Sequence, residues 1–183
     1  MRIAINGFGR VGRCILRAAM QREDCRALQF VALNELASPE AILYLTQYDS
    51  THGRFPGSIS LAERQLLVQN GDCKHKLLIS AEQDARRLKW KAQGIELVME
   101  CSGSITTQSD AMAHIEAGAR RVLLSNPGES KIPAYVCGVN DGDIRAAQRV
   151  VSAASCTSNA LIPVLQVLHE NFGIQNGVIT TVH

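Results

Sequence analysis

The stretch "VVSAASCTSNALIPVL" (150–165) places Cys156 where an extended run passes into an apolar, helix-patterned one. A thiol at a helix start faces unpaired backbone amides and the positive end of the helix dipole, which together stabilise a thiolate. The same amides can hold an oxyanion. Ser155 is the expected N-cap, and Ala160, Leu161, Val164, Leu165 and Leu168 would form the apolar face of the helix. Pro163 lies inside that stretch and predicts a kink or a late helix start. His183, at the end of "VITTVH", is a candidate base for the thiol. On residue type alone, Cys156 is equally a small apolar residue of a reduced protein, and spacing does not bring His183 to it.

A second chemical signal opens the chain. "INGFGRVGR" contains Gly7-x-Gly9-x-x-Gly12 directly after the apolar run Ile3-Ala4-Ile5 and before a helical pattern of Val11, Cys14, Ile15, Leu16 and Ala18. In that context Gly7 permits a tight turn, Gly9 admits a pyrophosphate close to the backbone, and Gly12 lets helix and sheet pack. Amides at the helix start would hold the phosphates. Glu35, after the strand-like "LQFVALN", stands where an acidic residue binds ribose hydroxyls; its charge repels a 2′-phosphate and so favours NAD over NADP. The plainer reading is a tight loop and a surface carboxylate.

These residues need a scaffold that brings several strand ends together. The pattern continues as "IELVMEC" strand, "TQSDAMAHIEAG" helix closed by Gly118, "RRVLLS" strand, "AYVCGVN" strand, a short helix at "GDIRAAQ" and "RVVSAAS" strand. Such alternation predicts an α/β fold: a Rossmann-type, doubly wound parallel sheet. Residues 52–80 differ, with "RQLLVQNGDCKHKLLIS" reading as an antiparallel hairpin turned at Asn70-Gly71. The final "NGVITTVH" reads as a strand that stops with the chain. The expected division is a cofactor domain over 1–153 and the beginning of a truncated catalytic domain over 154–183.

Composition narrows the class. The chain has 183 residues, 46% hydrophobic and 20% charged, with a net charge of +2, which describes a globular protein with no call for nucleic acid or an acidic membrane. No aromatic-basic cluster supports an RNA-binding use of the cleft. No apolar run reaches membrane-spanning length, and the amino terminus lacks the apolar core of a signal peptide, so a cytoplasmic protein is expected. Cys14, Cys25, Cys73, Cys101, Cys137 and Cys156 show no C-x-x-C spacing; they are expected to be reduced thiols, and no metal is assigned.

"INGFGRVGR", "YDSTHGRF", "GVND", "ASCTSN" and "TTVH" occur in the order and approximate spacing of the phosphorylating glyceraldehyde-3-phosphate dehydrogenases and their relatives, a family the chain resembles over essentially its whole length. "NELAS" and "SNPG" look more like the D-erythrose-4-phosphate dehydrogenases. The resemblance implies that the Cys156 thiolate attacks an aldehyde and that His183 takes the proton. Hydride would pass to NAD, leaving a thioester that water opens in the erythrose-4-phosphate enzymes and inorganic phosphate opens in the glycolytic ones. It implies substrate contacts at Ser155, Cys156 and Thr157. Cofactor contacts would come from Asn6, Gly7, Phe8, Gly9, Arg10, Val11, Gly12, Glu35, Ser102, Gly103 and Ser125. The expected partner is a small sugar phosphate, and full-length relatives are homotetramers.

The chain departs from the family pattern at four places. Ala153 replaces an Asn and Ser158 a Thr, Ala160 stands for a second Cys, and Gln83 replaces a cofactor-contacting Arg. Relatives continue for roughly another domain beyond His183, carrying the substrate-phosphate site and subunit contacts. The functions to be weighed are therefore erythrose-4-phosphate oxidation, phosphorylating oxidation of glyceraldehyde 3-phosphate, and NAD binding without catalysis.

Overall fold

The computed structural model describes residues 1–182. Its framework is an eight-stranded sheet in the order β10-β9-β8-β1-β2-β7-β6-β5. The strands are β1 (Arg2–Asn6), β2 (Gln29–Asn34), β5 (Ser58–Ala62), β6 (Gln65–Asn70), β7 (Cys73–Ser80), β8 (Leu97–Glu100), β9 (Arg121–Leu124) and β10 (Val150–Ser152). A separate two-stranded ribbon pairs β3 (Tyr48–Asp49) with β4 (Gly53–Arg54). Helices α1 (Arg10–Gln21), α2 (Pro39–Gln47), α3 (Gln108–Glu116) and α4 (Cys156–Phe172) complete the chain.

Side-chain alternation in β1 explains the two covered faces. Ile3 and Ile5 point into a cluster with Leu16, Met20, Phe30 and Leu33, which packs α1 and α2 on one side. Ala4 points the other way, into a cluster with Ala32, Trp90, Ile95 and Val98. A strand buried on both faces reads as a continuous apolar run, as β1 does. Beyond it, Val122, Leu124 and Val150 pack against Ala111 and Ile115 of α3.

The registers set Asn6 beside Asn34 and Glu100, Glu100 beside Leu124, and Leu124 beside Ser152. The parallel strands therefore end along one edge, and Gly7, Glu35, Cys101, Ser125 and the turn leading to Cys156 all follow from it. The chain leaves β1 in one direction to β2 and returns to the other side at β8, so a crevice opens outside the ends of β1 and β8.

The doubly wound sheet and the Asn70-Gly71 hairpin are as read from sequence, although the hairpin belongs to the main sheet: β7 pairs antiparallel with β6 and parallel with β2. Three expectations fail. Residues 134–140 form no strand, only an isolated bridge from Ala134 to Ser152, because the segment turns back on itself through Asn140, whose Oδ1 accepts from the Val136 N–H. Residues 142–148 form no α-helix; a single 3-10 turn spans Asp141–Asp143, and the Gln148 side chain takes the Arg145 N–H instead of a helical carbonyl doing so. Residues 176–182 form no strand, since no neighbouring strand pairs with them among the described residues.

Helix α2 has a legible start that the strand-helix-strand reading passes over: Ser38 caps it through the Ala41 N–H, with Pro39 in the first turn. Arg17, only 4% exposed, donates to the carbonyls of Thr46, Gln47 and Gly53. It thereby ties α1 to the end of α2 and to the β3–β4 ribbon that carries "YDSTHGRF".

Candidate active site and cofactor cleft

The crevice at the carboxyl edge is a cleft of about 570 Å³. Of the expected contacts Asn6, Gly7, Gly9, Glu35 and Ser102 line it, together with Asn34, Gln83, Arg86, Cys101 and Ser104. Each glycine has a separate physical reason. Gly7 sits at φ +84°, and a Cβ there would meet the backbone of Cys101 and Ser102 as it leaves β8. A Cβ on Gly12 would meet the Gly7 carbonyl oxygen and the Ile5 side chain. A Cβ on Gly9 would meet nothing within 4 Å. Of these three, Gly9 alone has open space at its Cβ position, which suits a position that a phosphate must approach.

Glu35 does more than border the cleft. Its Oε2 accepts from the Phe8 N–H at 2.7 Å, and its Oε1 accepts from the Leu36 and Ala37 N–H groups at 2.7 and 3.2 Å. The carboxylate therefore fixes the glycine turn to the end of β2. Phe8 serves by this amide, for its ring is buried in the core. Arg10 points elsewhere: its guanidinium pairs with Asp49 at 3.2 Å and donates to Ser50. Asp49 also accepts from the His52 and Thr51 N–H groups, and these bonds lead in holding its carboxyl down at about 2. Val11 is exposed on α1; Gly103 follows Ser102 at φ +74°, and the Ser125 N–H donates to the Glu100 carbonyl.

Behind the cleft runs a buried polar chain that sequence reading missed. Trp90 Nε1 donates to His114 Nδ1 at 3.1 Å. An indole nitrogen can only donate, so His114 Nδ1 is the acceptor and its Nε2–H faces Glu100 Oε2 at 2.8 Å. The same Oε2 accepts from Asn6 Nδ2, and Asn34 Nδ2 donates to Asn6 Oδ1 at 2.7 Å. Asn34 Oδ1 in turn accepts from the Glu82 N–H and from Ser80 Oγ. Burial pushes the Glu100 carboxyl up, but the bonds from His114, Ser102 and Asn6 outweigh it and hold the group below the usual range. The neighbouring Cys101 thiol has the opposite fate, raised to about 12 chiefly by burial, which favours its protonated form.

Cys156 begins α4 and is exposed. The expected cap is present: Ser155 Oγ accepts from the Ser158 N–H at 2.9 Å. The first amides of a helix have no intrahelical acceptor, and those of Cys156 and Thr157 have no hydrogen-bond partner among the described residues. Pro163 neither delays nor interrupts the helix, which runs continuously from Cys156. Two further residues shape this turn. Ala154 holds φ +61°, a left-handed conformation costing a non-glycine residue about 1 kcal/mol, and its N–H donates to Ser152 Oγ. Asn159 Nδ2 clips the turn by donating to the carbonyls of Ala153 and Ser155. The polar run "SCTSN" is the only sequence trace of these roles.

A shallow hollow of about 430 Å³ lies beside Cys156, lined by it with Thr157, Ala160, Leu161 and residues 179–182. It is distinct from the cofactor cleft, whose lining does not include Cys156. His183 lies outside the described residues. The apolar face expected of α4 is not a buried one: none of its residues is buried, and Val164, Val167, Leu168 and Phe172 are exposed. Among the described residues no His, Cys, Asp and Glu cluster could hold a metal ion, and no helix is long and apolar enough to cross a membrane.

A doubly wound sheet with a glycine turn at its switch point and a carboxylate at the end of the second strand defines a dinucleotide-binding fold. Comparison with known proteins agrees. Residues 1–108 match the family described as the NAD binding domain of glyceraldehyde 3-phosphate dehydrogenase, and residues 155–183 match its C-terminal domain. Glyceraldehyde-3-phosphate dehydrogenases of Chlamydia pneumoniae and Pseudomonas aeruginosa are 44% and 45% identical over the whole chain. The chain spans 53% and 54% of their lengths, about half of each relative. The chain belongs to the glyceraldehyde-3-phosphate dehydrogenase family, and NAD is its cofactor.

Proposed function

We propose that this chain supplies the cofactor domain and the nucleophile of an NAD-dependent dehydrogenase that oxidises a phosphorylated aldose aldehyde through a thioester on Cys156. The observation that supports this most is the placement of Cys156 on the first turn of α4, at the same sheet edge as the glycine turn. The Cys156 sulfur bonds to the aldehyde carbon while the carbonyl electron pair moves to oxygen. The amides of Cys156 and Thr157 stand to hold the charge on that oxygen. Bound NAD supplies a two-electron hydride acceptor, which brings the aldehyde carbon to the oxidation level of a thioester. The family resemblance assigns the proton to His183.

Erythrose 4-phosphate is the substrate we infer, with water opening the thioester to the acid. "NELAS" and "SNPG" support it; the latter fastens the loop after β9 to β10, where Ser152 Oγ donates to the Asn126 carbonyl. Glyceraldehyde 3-phosphate, with phosphate opening the thioester, is the second reading, favoured by the names of both relatives. A third use, cofactor binding without catalysis, is supported by a cleft whose lining falls wholly within residues 6–113 and does not include Cys156.

The test is calorimetric titration with NAD beside a Gly9→Val variant, followed by reduction of NAD with each aldehyde, with and without phosphate. The expected results are binding lost in the variant, alkylation of Cys156 by iodoacetamide, and phosphate-independent turnover of erythrose 4-phosphate. Phosphate-dependent turnover of glyceraldehyde 3-phosphate alone would establish the second reading. NAD binding with an inert thiol would establish the third.

A further inference from the structure

We infer that Ser104 is a specificity residue of the cofactor cleft: its hydroxyl is turned by the Glu100–Ser102 pair so that it presents lone pairs, and no proton, to a hydrogen-bond donor of the dinucleotide. The inference rests on the NAD cleft described above. Glu100 Oε1 accepts from both the N–H of Ser102, at 2.8 Å, and its Oγ, at 2.5 Å. An ionised carboxylate can only accept, so the single hydroxyl proton of Ser102 is committed to Glu100. Ser102 Oγ lies 2.8 Å from Ser104 Oγ and, having no proton left, must be the acceptor there. It accepts the Ser104 N–H as well, at 3.2 Å. The proton of Ser104 is thereby spent on Ser102, and the oxygen of Ser104, exposed and lining the cleft, is left with lone pairs.

Phosphate oxygens are acceptors and gain nothing from such a group. The donors a dinucleotide offers are its ribose hydroxyls, the adenine amino group and the nicotinamide carboxamide. Glu100 and Ser102 are positioning residues that act through Ser104. Their own orientation is fixed from behind by His114, Asn6 and Trp90.

The experiment is titration of the parent and a Ser104→Ala variant with NAD, ADP-ribose, nicotinamide mononucleotide and nicotinamide hypoxanthine dinucleotide, with melting temperature measured alongside. Ser104 is exposed, so the variant is expected to melt with the parent. Its affinity for NAD should fall about 3- to 10-fold, the effect of one neutral hydrogen bond. An equal loss for ADP-ribose places the donor in the adenosine half or on a ribose. Retained loss with the hypoxanthine dinucleotide then assigns a ribose hydroxyl, and its disappearance assigns the adenine amino group. A loss seen with NAD, the mononucleotide and the hypoxanthine dinucleotide but not with ADP-ribose assigns the nicotinamide carboxamide. A Ser102→Ala change should weaken NAD less in the Ser104→Ala background than in the parent, because part of its effect passes through Ser104. Unchanged affinities in Ser104→Ala, or strict additivity of the two changes, would overturn the inference. A parent that binds none of the four ligands would instead overturn the cleft assignment itself.

Discussion

The nucleotide cleft and the helix bearing Cys156 share one sheet edge but differ in how they are held. At the cleft, Glu35, Asn6, Asn34 and Glu100 bond inward to the backbone and to one another, and apolar clusters cover both faces of the sheet behind them. Helix α4 is held chiefly at its start, by Ser155, Asn159 and the Ala154 turn, and buries none of its own residues. Binding of the cofactor thus draws on a finished framework, whereas Cys156 stands on a well-formed turn of an otherwise uncovered helix.

This contrast is broken most severely at Glu100. Replacing it by Ala leaves the His114 Nε2–H, the Asn6 amide and the Ser102 N–H without their acceptor and should cost about 3 kcal/mol in urea unfolding. Gly7→Ala, which forces a side chain onto the backbone after β8 at a positive φ, should cost about 2 kcal/mol. If either change proves neutral, the cleft is not the rigid partner in the comparison. Ser155→Ala should cost about 1 kcal/mol and slow alkylation of Cys156 while leaving NAD affinity intact. On the far side of α4, Phe172→Ser should move stability by no more than about 0.5 kcal/mol, because that ring is 82% exposed. A larger loss would mean that the helix face is covered in solution.

Acid sharpens the same comparison. Asp49 and Glu100 both titrate below their ordinary ranges in the folded chain, Asp49 first through its backbone amide partners and Glu100 through bonds that outweigh its burial. The folded state therefore binds fewer protons than the unfolded one once pH falls below the unfolded carboxylate values of about 4. Their contribution is complete above that range and is lost as pH falls through the folded values, down to about 2 for Asp49. The acid branch of the stability curve should be shallower in an Asp49→Asn variant.

Where a feature rests on neighbouring residues, it was legible in the sequence. Gly7, Gly9, Gly12 and Glu35 follow from a local turn rule, and the apolar runs of β1, β2 and β8 announce a buried parallel sheet. Cys156 and its Ser155 cap follow from the helix-start pattern. The failures have one physical source: a strand is made by its partner. Residues 134–140 and 176–182 have strand-like composition but no ladder beside them. The Trp90–His114–Glu100–Asn6 chain joins residues up to 94 apart, and no spacing rule reports such a contact. Arg10 shows the same limit, since its partner Asp49 arrives on a different element.

The sequence contains one tryptophan, and it is Trp90. Its indole is fully buried, and its N–H is bonded to His114, two hydrogen bonds from the Asn6 that borders the cleft. Intrinsic fluorescence excited in the tryptophan band therefore comes from a single, known place. A shift of its emission to the red reports water entering the chain of bonds behind the cleft, and the spectrum is silent about events on α4. The fold has installed its own optical gauge of the cofactor framework, which allows the two halves of the molecule to be followed separately without adding a label.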